Sequence, residues 1–423
     1  MFQPPFSQPS RTEILVIGGG IIGVTAAYYL TKHGSSVTLV EKDDLNAGST
    51  YGNAGLIIPS DSLPVPGPGV LTQGLRWLLD SASPFYLKPT LDPEILRWLW
   101  DFQGSCREGA WQQAAPLLTE LSERSVPLFE EILESEKIHC GYQREGLLLL
   151  YTTDHGFREG QTLVTKLQGL GVEGTALQGR ELKDRLPPAG AAVRGGIYFR
   201  PDAHLDPAVF THQLAHRAQR AGLRLISNCE VLDFTVRENR IQSALTTRGE
   251  IQAEQVVLAA GAWTAELGKK LDLRLPIQPA KGYSITMGRP ESYPELPLLL
   301  DEAKIAVTPL GDTLRLAGTL ELAGLNHDIN HRRVQAILDH AAEYLDVSFQ
   351  DQPLVEIWRG LRPCTPDGLP VIGRSRQVSN LITAGGHCML GVSQATATGN
   401  LVAQIARGHQ PELDVRPLSP DRF

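Results

Sequence analysis

ILVIGGGIIGVTAAYYL, which occupies Ile14–Leu30, changes from an aliphatic run to three adjacent glycines and then to helix-forming residues. The run before the glycines is short and rich in branched side chains, as in a buried parallel strand. After the glycines, apolar residues recur at helical spacing as far as His33, and Gly34 suits the end of a helix. A second branched strand follows at Val37–Lys42, so this stretch predicts a strand–helix–strand unit.

The glycines have the spacing of a dinucleotide-binding loop, in which Gly18, Gly20 and Gly23 are the three defined positions. The first allows a tight turn, the second lets a pyrophosphate approach the backbone, and the third lets the helix pack on the strand. The N-terminus of the helix then offers free N–H groups to the phosphates. Glu41 ends the second strand about 20 residues further on, where a carboxylate accepts hydrogen bonds from ribose hydroxyls.

The same glycine spacing occurs a second time, as GLGVEG at Gly169–Gly174. This copy follows helix-like sequence, and no helix-forming stretch comes after it, so we expect a loop. The spacing alone is therefore a weak signal, and its alternative interpretation is a glycine-rich structural turn. The strand before Gly18 and the helix after Gly23 favour nucleotide binding for the first copy.

Composition and charge exclude several classes of protein. The chain has 423 residues, a net charge of −8 and an apolar fraction of 42%, which suit a globular protein of two or three domains. A nucleic-acid partner is not expected, because phosphate binding needs a basic surface and the sequence has no dense Lys/Arg cluster. The five cysteines lie far apart without a C-x-x-C pair, so we expect buried free thiols, no disulfide framework and no metal site.

Targeting and membrane signals are weak. The first eleven residues, MFQPPFSQPSR, lack the basic and apolar regions of a signal peptide and predict a frayed tail. No run of about 18 apolar residues predicts a membrane span, so a cytoplasmic location is expected. The Trp-rich segment 73–111 has two interpretations: a roof or core packing at the active site, or peripheral contact with the inner face of a membrane.

The rest of the chain predicts a second, antiparallel sheet between two α/β portions. EGLLLLYTT at Glu145–Thr153 has the composition of a strand, and Asp206–Pro207 has the composition of a helix start. Pro116 is expected in the first turn of a helix over Leu117–Glu136. Further predicted elements are strands at Pro276–Met287, Ile305–Thr308, Thr313–Gly318, Leu354–Trp358 and Leu381–Thr383 and helices at Arg332–Tyr344 and Ser393–Arg407.

Three downstream stretches favour a flavin over a nicotinamide cofactor. AGSTYGNAGLI at Ala47–Ile57 places small residues just after the second strand, where a flavin would continue from its pyrophosphate. VVLAAGAW at Val256–Trp263 is a strand that ends in an Ala–Gly turn. A strand, a glycine turn and a helix follow at Asn380–Ile405, and the helix N-terminus could stabilise negative charge on a reduced flavin.

Together, these motifs resemble the FAD-dependent amino-acid oxidoreductases of the D-amino-acid oxidase superfamily, and especially the bacterial D-amino-acid dehydrogenases. The resemblance covers nearly the whole chain, including LRWLLDSASPFYLKPTLDPEILRWLW at Leu75–Trp100. Its strongest motifs are VIGGGIIGVTAAYYL, STYGNAGLI, KGYSIT (Lys281–Thr286), GLRPCTPDGLPVIG (Gly360–Gly373) and AGGHCMLG (Ala384–Gly391).

The resemblance implies an α/β fold with two interleaved domains. A Rossmann-type FAD-binding domain is expected at 1–87, 195–272 and 355–423, and a substrate domain built on an antiparallel sheet at 88–194 and 273–354. The implied reaction oxidises the amine of a D-amino acid to an imine, which water converts to a 2-oxo acid and ammonium. The electron acceptor in several relatives is a quinone or another respiratory-chain component.

Two other functions stay open from the sequence. The first is an oxygen-using oxidase of glycine, sarcosine or a cyclic imino acid of the proline type. The second, from a different class, is an NAD-dependent enzyme or a nucleotide-binding module without flavin chemistry. A yellow protein would separate the flavoenzymes from this second class.

Residues that contact the substrate are predicted by the same resemblance. Arg362, in GLRP, matches the arginine that binds the substrate carboxylate in related glycine oxidases, and a guanidinium fork suits that task. Tyr283 could place its hydroxyl on the substrate carboxylate or amine, or be a packed aromatic of the sheet. His387 has two interpretations, a general base or, as we expect, a residue that contacts the flavin or supports such a contact. Glycine oxidases have a second arginine where this chain has Met389, which favours apolar or cyclic substrates. Arg359 and Lys281 are lesser carboxylate candidates, and His204 is expected to be structural.

The predicted FAD site combines the glycine loop, the two later turns and Val231, whose backbone is implied to contact the adenine. FAD is expected to be non-covalent, because the attaching cysteine of sarcosine oxidases aligns with Gly360, although Cys364 and Cys388 are close to the site in sequence. The predicted cofactor-binding residues are Gly18, Gly20, Ile21, Ile22, Gly23, Glu41, Lys42, Gly48, Ser49, Thr50, Asn53, Ala54, Gly55, Leu56, Val231, Ala260, Gly261, Trp263, Gly386, Met389, Leu390 and Gly391.

Overall fold

The computed structural model describes residues 10–70, 74, 83–88, 91–169, 171–291 and 293–423. A mostly parallel sheet forms around the first strand, because β1 pairs with a strand on each side in parallel register. Its strands are β1 (Ser10–Ile17), β2 (Val37–Val40), β9 (Arg224–Ile226), β10 (Val231–Arg237), β11 (Arg240–Thr246), β12 (Gly249–Leu258), β18 (Val371–Arg374) and β19 (Leu381–Gly385).

The second sheet is mainly antiparallel, as the alternating sequence between the two α/β portions predicts. Its strands are β4 (Phe85–Leu87), β5 (Leu147–Tyr151), β6 (Thr175–Leu177), β7 (Gly195–Phe199), β13 (Gln278–Gly288), β14 (Leu298–Leu300), β15 (Ile305–Leu310), β16 (Thr313–Leu322) and β17 (Leu354–Cys364). A small antiparallel pair, β3 (Leu56–Ile57) with β8 (Ala203–His204), completes the sheets.

Helices cover both sheets and bury their apolar faces. The described helices are α1 (Ile21–Lys32), α2 (Pro93–Ser105), α3 (Glu108–Glu136), α4 (Asp154–Gln168), α5 (Gly179–Arg185), α6 (Pro207–Arg220), α7 (Thr264–Lys269), α8 (His331–Tyr344) and α9 (Ala395–Ala406). The main core joins the first sheet to α1, α3, α6 and α9, and a second core joins the antiparallel sheet to α8. Throughout the described ranges, every helix is too short or too polar to cross a lipid bilayer.

Several predicted elements have the expected positions. The β1–α1–β2 unit forms, and Asp206 caps α6 by accepting hydrogen bonds from the backbone of Ala208 and Val209 at 2.9 and 3.0 Å. The second glycine copy, Gly169–Gly174, connects α4 to β6, and a strand, not a helix, follows it. The predicted tail lies outside the described residues up to residue 9, and Ser10 and Arg11 already belong to β1.

The helix predicted to begin at Pro116 begins at Glu108 instead and continues through Pro116 and Pro127. Proline costs a helix one backbone hydrogen bond, so tertiary packing must hold the additional turns. Ala114 and Ala115 in these turns are buried against the rest of the protein. The sequence shows Pro116, but it does not show the tertiary contacts that bury Ala114 and Ala115.

The two sheets divide the chain in the interleaved order that was predicted, but three strands lie across the predicted domain limits. β4, β7 and β17 fall in the ranges expected for the FAD domain, yet all three pair within the second sheet. The reason is visible for β17, which pairs with β13 along its whole length, from Cys364 opposite Gln278 to Leu354 opposite Met287.

The Trp-rich segment 73–111 contains both buried and exposed tryptophans. Trp77 lies outside the described residues. Trp98 on α2 is buried, stacks on Phe102, and donates its indole N–H to the backbone oxygen of Cys364 at 3.2 Å. Trp100, on the other side of the helix, is 74% exposed. One tryptophan of α2 therefore packs beneath the helix and another faces solvent.

Candidate cofactor and substrate site

A cavity of about 670 Å³ lies at the carboxyl ends of β1, β2 and β12 and extends to the end of β17. Ligands of open α/β sheets bind at this edge, where the loops after the strands meet. The predicted residues that line the cavity are Gly18, Gly20, Ile21, Ile22, Glu41, Lys42, Gly48, Ser49, Thr50, Asn53, Val231, Ala260, Gly261, Trp263, Arg362, His387 and Gly391.

The glycine loop has the tight geometry that its sequence predicts. Gly18 has φ +113°, and a Cβ there would overlap the backbone oxygen of Ala259. A Cβ at Gly23 would overlap the backbone oxygen of Gly18, so this third glycine serves packing and does not itself line the cavity. Helix α1 begins at Ile21, whose backbone N–H donates a hydrogen bond to the Thr50 hydroxyl at 3.0 Å. The first turn of α1 contains no acidic residue that would compete with a bound phosphate.

Glu41 lies beside this loop at the end of β2. One carboxylate oxygen accepts a hydrogen bond from the Gly19 N–H at 2.6 Å, and the other accepts one from the Asp43 N–H at 3.1 Å. Each oxygen can accept a second hydrogen bond, so the carboxylate can hold the loop and still receive ribose hydroxyls. Nearby, the Lys42 ammonium lies 3.6 Å from the ring centre of Trp263, and both side chains line the cavity.

Several predicted residues lie outside the cavity wall. Asn53 itself lines the cavity and turns the chain at its edge: its side-chain oxygen accepts a hydrogen bond from the Gly55 N–H at 2.8 Å. Leu56, the residue after Gly55, begins β3. Met389 is 49% exposed and does not line the cavity. Besides Gly23, the predicted cofactor residues outside the wall are Ala54, Gly55, Leu56, Gly386, Met389 and Leu390.

Tyr283 does not reach the cavity. It is buried, its hydroxyl donates to Glu321 at 3.1 Å, and the same oxygen accepts the Asn330 N–H at 3.2 Å. The reason is the alternation of side chains along β13: Gly282 lies beneath the Arg362 side chain, so Tyr283 and Lys281 belong to the opposite face. Lys281 is buried there in an ion pair with Glu321 at 3.3 Å.

Arg362 is a half-buried cation on the cavity wall. Its guanidinium crosses Gly282 and donates to the backbone oxygen of Thr319 at 2.8 Å. Burial lowers the pKa of Arg362 to about 10, which leaves the side chain charged at neutral pH. No described carboxylate lies within ion-pairing distance of it. A buried charge without a counter-ion is costly, so the site is suited to an anionic ligand.

His387 lines the cavity beside the last turn. Its Nε2 lies 2.9 Å from the hydroxyl of Thr398 on α9, and its Nδ1 is buried with no partner among the described residues. Burial lowers the pKa of His387 to about 3, so the imidazole is neutral at pH 7 and is a weak base. Its buried Nδ1 is therefore better suited to a hydrogen bond with a ligand than to proton abstraction.

The buried neutral state of His387 predicts a pH-dependent stability. The imidazole titrates near pH 6.5 when unfolded and near 3 when folded, so its contribution is present above pH 6.5 and is lost as the pH falls towards 3. Between pH 7 and pH 5, the wild type should therefore lose about 2 kcal/mol more of its free energy of unfolding than His387→Asn loses. Urea unfolding at both pH values, in saturating FAD, measures this difference. Equal losses would contradict it.

Two residues at the far end of the cavity received less weight from the sequence. His327 lines the wall and stacks on Trp263, with ring centres 6.2 Å apart. Its backbone oxygen accepts the Arg359 Nε–H at 3.0 Å, and Arg359 also lines the cavity. Arg359 was a lesser candidate, whereas His327 lies in a polar loop without a motif. Only the packing of this loop against Trp263 identifies it.

The structure corrects the expectation of five free thiols. Cys364, at the end of β17, forms a disulfide with Cys388, in the turn Cys388–Gly391. Cys106, Cys140 and Cys229 are free. The two bonded cysteines are 24 residues apart, and only the approach of β17 to this turn, where Cys364 and His387 form a β-bridge, brings them together.

These residues fit a flavin dinucleotide. The helix N-terminus with its glycine loop can receive a pyrophosphate, and Glu41 lies where ribose hydroxyls would bind. The unpartnered Nδ1 of His387 and the half-buried Cys388 lie towards the end of the cavity that Arg362 occupies. The cavity therefore combines a nucleotide-binding end with a cationic end.

Comparisons with known proteins agree with this geometry. Residues 13–405 match the family described as DAO, FAD dependent oxidoreductase. The chain is 34% identical to a D-amino acid dehydrogenase of Bradyrhizobium diazoefficiens over 97% of this chain and 99% of the relative. It is 30% identical to a D-amino acid dehydrogenase of Vibrio atlanticus, over 97% of this chain and all of the relative.

Solved structures share the fold. Glycine oxidase from Geobacillus kaustophilus superposes with a TM-score of 0.81 at 24% identity, over 98% of this chain and 99% of that one. L-proline dehydrogenase from P. horikoshii gives a TM-score of 0.78 at 22% identity, over 98% of both chains. The family match spans most of the chain and both sheets, and FAD is the cofactor of this family. The protein is thus an enzyme that belongs to the DAO family of FAD-dependent oxidoreductases.

Proposed function

We propose that the protein oxidatively deaminates D-amino acids to 2-oxo acids and ammonium. The observation that carries this proposal is the half-buried guanidinium of Arg362, which lies in the cofactor cavity without a described carboxylate partner. A planar guanidinium binds a carboxylate through two parallel hydrogen bonds, so it fixes both the position and the orientation of an amino acid.

FAD, bound non-covalently, would supply the hydride acceptor for the Cα–H of the substrate. The chain's own residues would orient the substrate, which reacts as the free amine. Arg362 would hold the carboxylate in place, which leaves the Cα–H directed at the cofactor side of the cavity. His387 would remain uncharged, because burial lowers its pKa to about 3, and would not protonate the amine. The imine would then be released for hydrolysis by water.

The preference for D-amino acids rests on the relatives, since the D-amino acid dehydrogenases of Bradyrhizobium diazoefficiens and Vibrio atlanticus are similar over nearly their whole lengths. Met389 is exposed, so it no longer supports a preference for apolar or cyclic side chains. Oxidation of glycine, sarcosine or a proline-type imino acid remains the alternative, because a single carboxylate anchor would serve these substrates as well.

Product analysis would test this proposal. The holoenzyme is incubated with a D-amino acid and an artificial redox dye, and the 2-oxo acid and ammonium are measured against the dye that is reduced. We expect one of each product per two electrons transferred, and little turnover when oxygen replaces the dye. Products from glycine, sarcosine or proline alone, with oxygen as an efficient acceptor, would favour the alternative.

We further propose that the acceptor is a membrane quinone and that α2 makes peripheral contact with the bilayer. Leu91, just before α2, and Leu96 and Trp100, on α2, are exposed apolar side chains, and α2 packs over Cys364. Interfacial tryptophan and leucine side chains are typical of such contacts. Cosedimentation with lipid vesicles should fall several-fold in Leu96→Ser/Trp100→Ser, and the exposed control Val355→Ser should bind as the wild type does. Equal binding by all three proteins would contradict the contact.

A further inference from the structure

The Cys364–Cys388 disulfide lies in the wall of the cofactor cavity. Cys388 lines the cavity directly, next to His387, and is half-buried. Cys364 is buried two residues after Arg362 on β17. The bond therefore joins the strand that presents the Arg362 guanidinium to the turn that forms a neighbouring part of the cavity wall.

The backbone at Cys388 has φ +50°, a conformation that glycine adopts more readily than cysteine. A cysteine is therefore locally unfavourable at position 388, but its thiol forms the bond to Cys364. Of the free cysteines, Cys140 is buried, and burial raises its pKa to about 12, which makes its thiol unreactive. Cys229 is also free and also lines the cavity, so the bonded pair is set apart from the free thiols by its bond and not by its position.

Without the covalent bond, β17 and the turn would be linked here mainly by the backbone bridge between Cys364 and His387. Two cavity walls would then be free to shift relative to each other, since one belongs to the second sheet and the other follows β19 of the first sheet. A shift of about 1 Å is enough to weaken a bidentate contact or a positioned cofactor.

We infer that Cys364–Cys388 is a reversible redox site, a disulfide clamp whose reduction by a dithiol loosens the cavity and weakens the binding of both FAD and the substrate carboxylate. The substrate part of this inference rests on the function proposed above. In the exchange, a thiolate of the dithiol attacks Cys388 Sγ, the bond between the two Sγ atoms breaks, and Cys364 leaves as a thiolate that takes up a proton. The second thiol of the reagent then releases Cys388, so the dithiol is oxidised to a disulfide and the protein gains two thiols.

The test compares oxidised holoenzyme with holoenzyme treated with excess dithiothreitol, after the reagent is removed under argon. Alkylation under denaturing conditions and peptide mass spectrometry measure which cysteines are free. We expect Cys364 and Cys388 to be alkylated only after reduction. The dissociation constant of FAD should rise several-fold and that of butanoate, a simple carboxylate probe followed by the flavin spectrum, by about tenfold.

Variants separate the clamp from general effects of the reagent. Cys364→Ser/Cys388→Gly removes both sulfurs and places a residue that suits the backbone at position 388. It should bind FAD and butanoate as the reduced wild type does and should not respond to dithiothreitol. Cys106→Ser, a free cysteine at the end of α2, should respond as the wild type does.

Unchanged FAD affinity on reduction, or alkylation of the pair before reduction, would overturn the inference. If FAD affinity changes but butanoate binds in neither state, the clamp stands and the carboxylate anchor proposed for Arg362 fails. The two failures are therefore distinguishable.

Discussion

Replacing Arg362 with alanine should raise the amino-acid concentration that half-reduces the flavin by about two to four orders of magnitude. Removing one partner of a buried ion pair costs about 3–5 kcal/mol, and Arg362 is half-buried with one backbone acceptor among the described residues, so a bound carboxylate would be its ion-pair partner. The protein should remain folded and yellow, because the glycine loop and Glu41 do not depend on this side chain. Anaerobic titration of the flavin absorbance measures the effect.

Two variants control this result. Arg362→Lys keeps the charge but loses the planar fork, so its titration should lie between those of the wild type and the alanine variant. Arg332→Ala removes an exposed arginine from α8 and should titrate as the wild type does. If Arg362→Ala is reduced at wild-type concentrations, the carboxylate binds elsewhere, and Arg359 is the next residue to test.

Gly23→Ala should abolish tight FAD binding. A Cβ at this position would overlap the backbone oxygen of Gly18, which has no room to move because the same loop packs on Ala259. Forcing an additional methyl group into a tight contact costs about 3 kcal/mol at the upper end of the usual range. If this cost falls on the loop, the FAD dissociation constant rises by about a hundredfold, and the purified protein should be nearly colourless.

Gly109→Ala provides the matched control. Gly109 lies in α3, and a Cβ there would meet no atom within 4 Å. Alanine is also the better helix former, so the variant should keep its FAD and unfold at the same or a slightly higher temperature. A Gly23→Ala protein that retains stoichiometric FAD would show that the loop does not hold the pyrophosphate as tightly as its geometry indicates.

The sequence was most informative where local rules act on short stretches. The β1–α1–β2 unit could be predicted because hydrophobic periodicity, glycine spacing and Glu41 all agree within about 30 residues. The cap at Asp206 could be predicted for the same reason, since Asp–Pro before an apolar periodic run satisfies the free N–H groups of a helix start. Arg362 was found through a motif, and the structure placed it in the cavity.

Pairing between distant strands explains much of what the sequence did not show. The sequence offers Tyr283 as a site candidate because it follows Lys281 by two residues on a predicted strand, but the face of β13 towards the Arg362 side chain is that of Gly282. A one-residue change of register exchanges the two faces of a strand, and the sequence does not specify the register. The extension of β17 to Cys364, which moves the domain limit, has the same origin.

The disulfide and Met389 illustrate a second limit. Both depend on the path of the turn Cys388–Gly391, in which the positive φ of Cys388 redirects the chain and leaves Met389 half-exposed. Positive φ is predicted from sequence mainly at glycine, so a cysteine in this conformation gives no local signal. Cys364 lies within bonding distance of Cys388 only because β17, in the second sheet, packs against the turn that follows β19, in the first sheet.

The most direct measurement is an anaerobic titration of the oxidised holoenzyme with the D- and L-enantiomers of one amino acid, followed by the flavin absorbance. If the cavity holds an amino acid on Arg362 with its Cα–H directed at FAD, the D-enantiomer should bleach the flavin with one equivalent per bound cofactor. The L-enantiomer should leave it oxidised. Bleaching by the L-enantiomer alone would contradict the assignment to D-amino acids, and bleaching by neither, across small and large side chains, would contradict the account of the site.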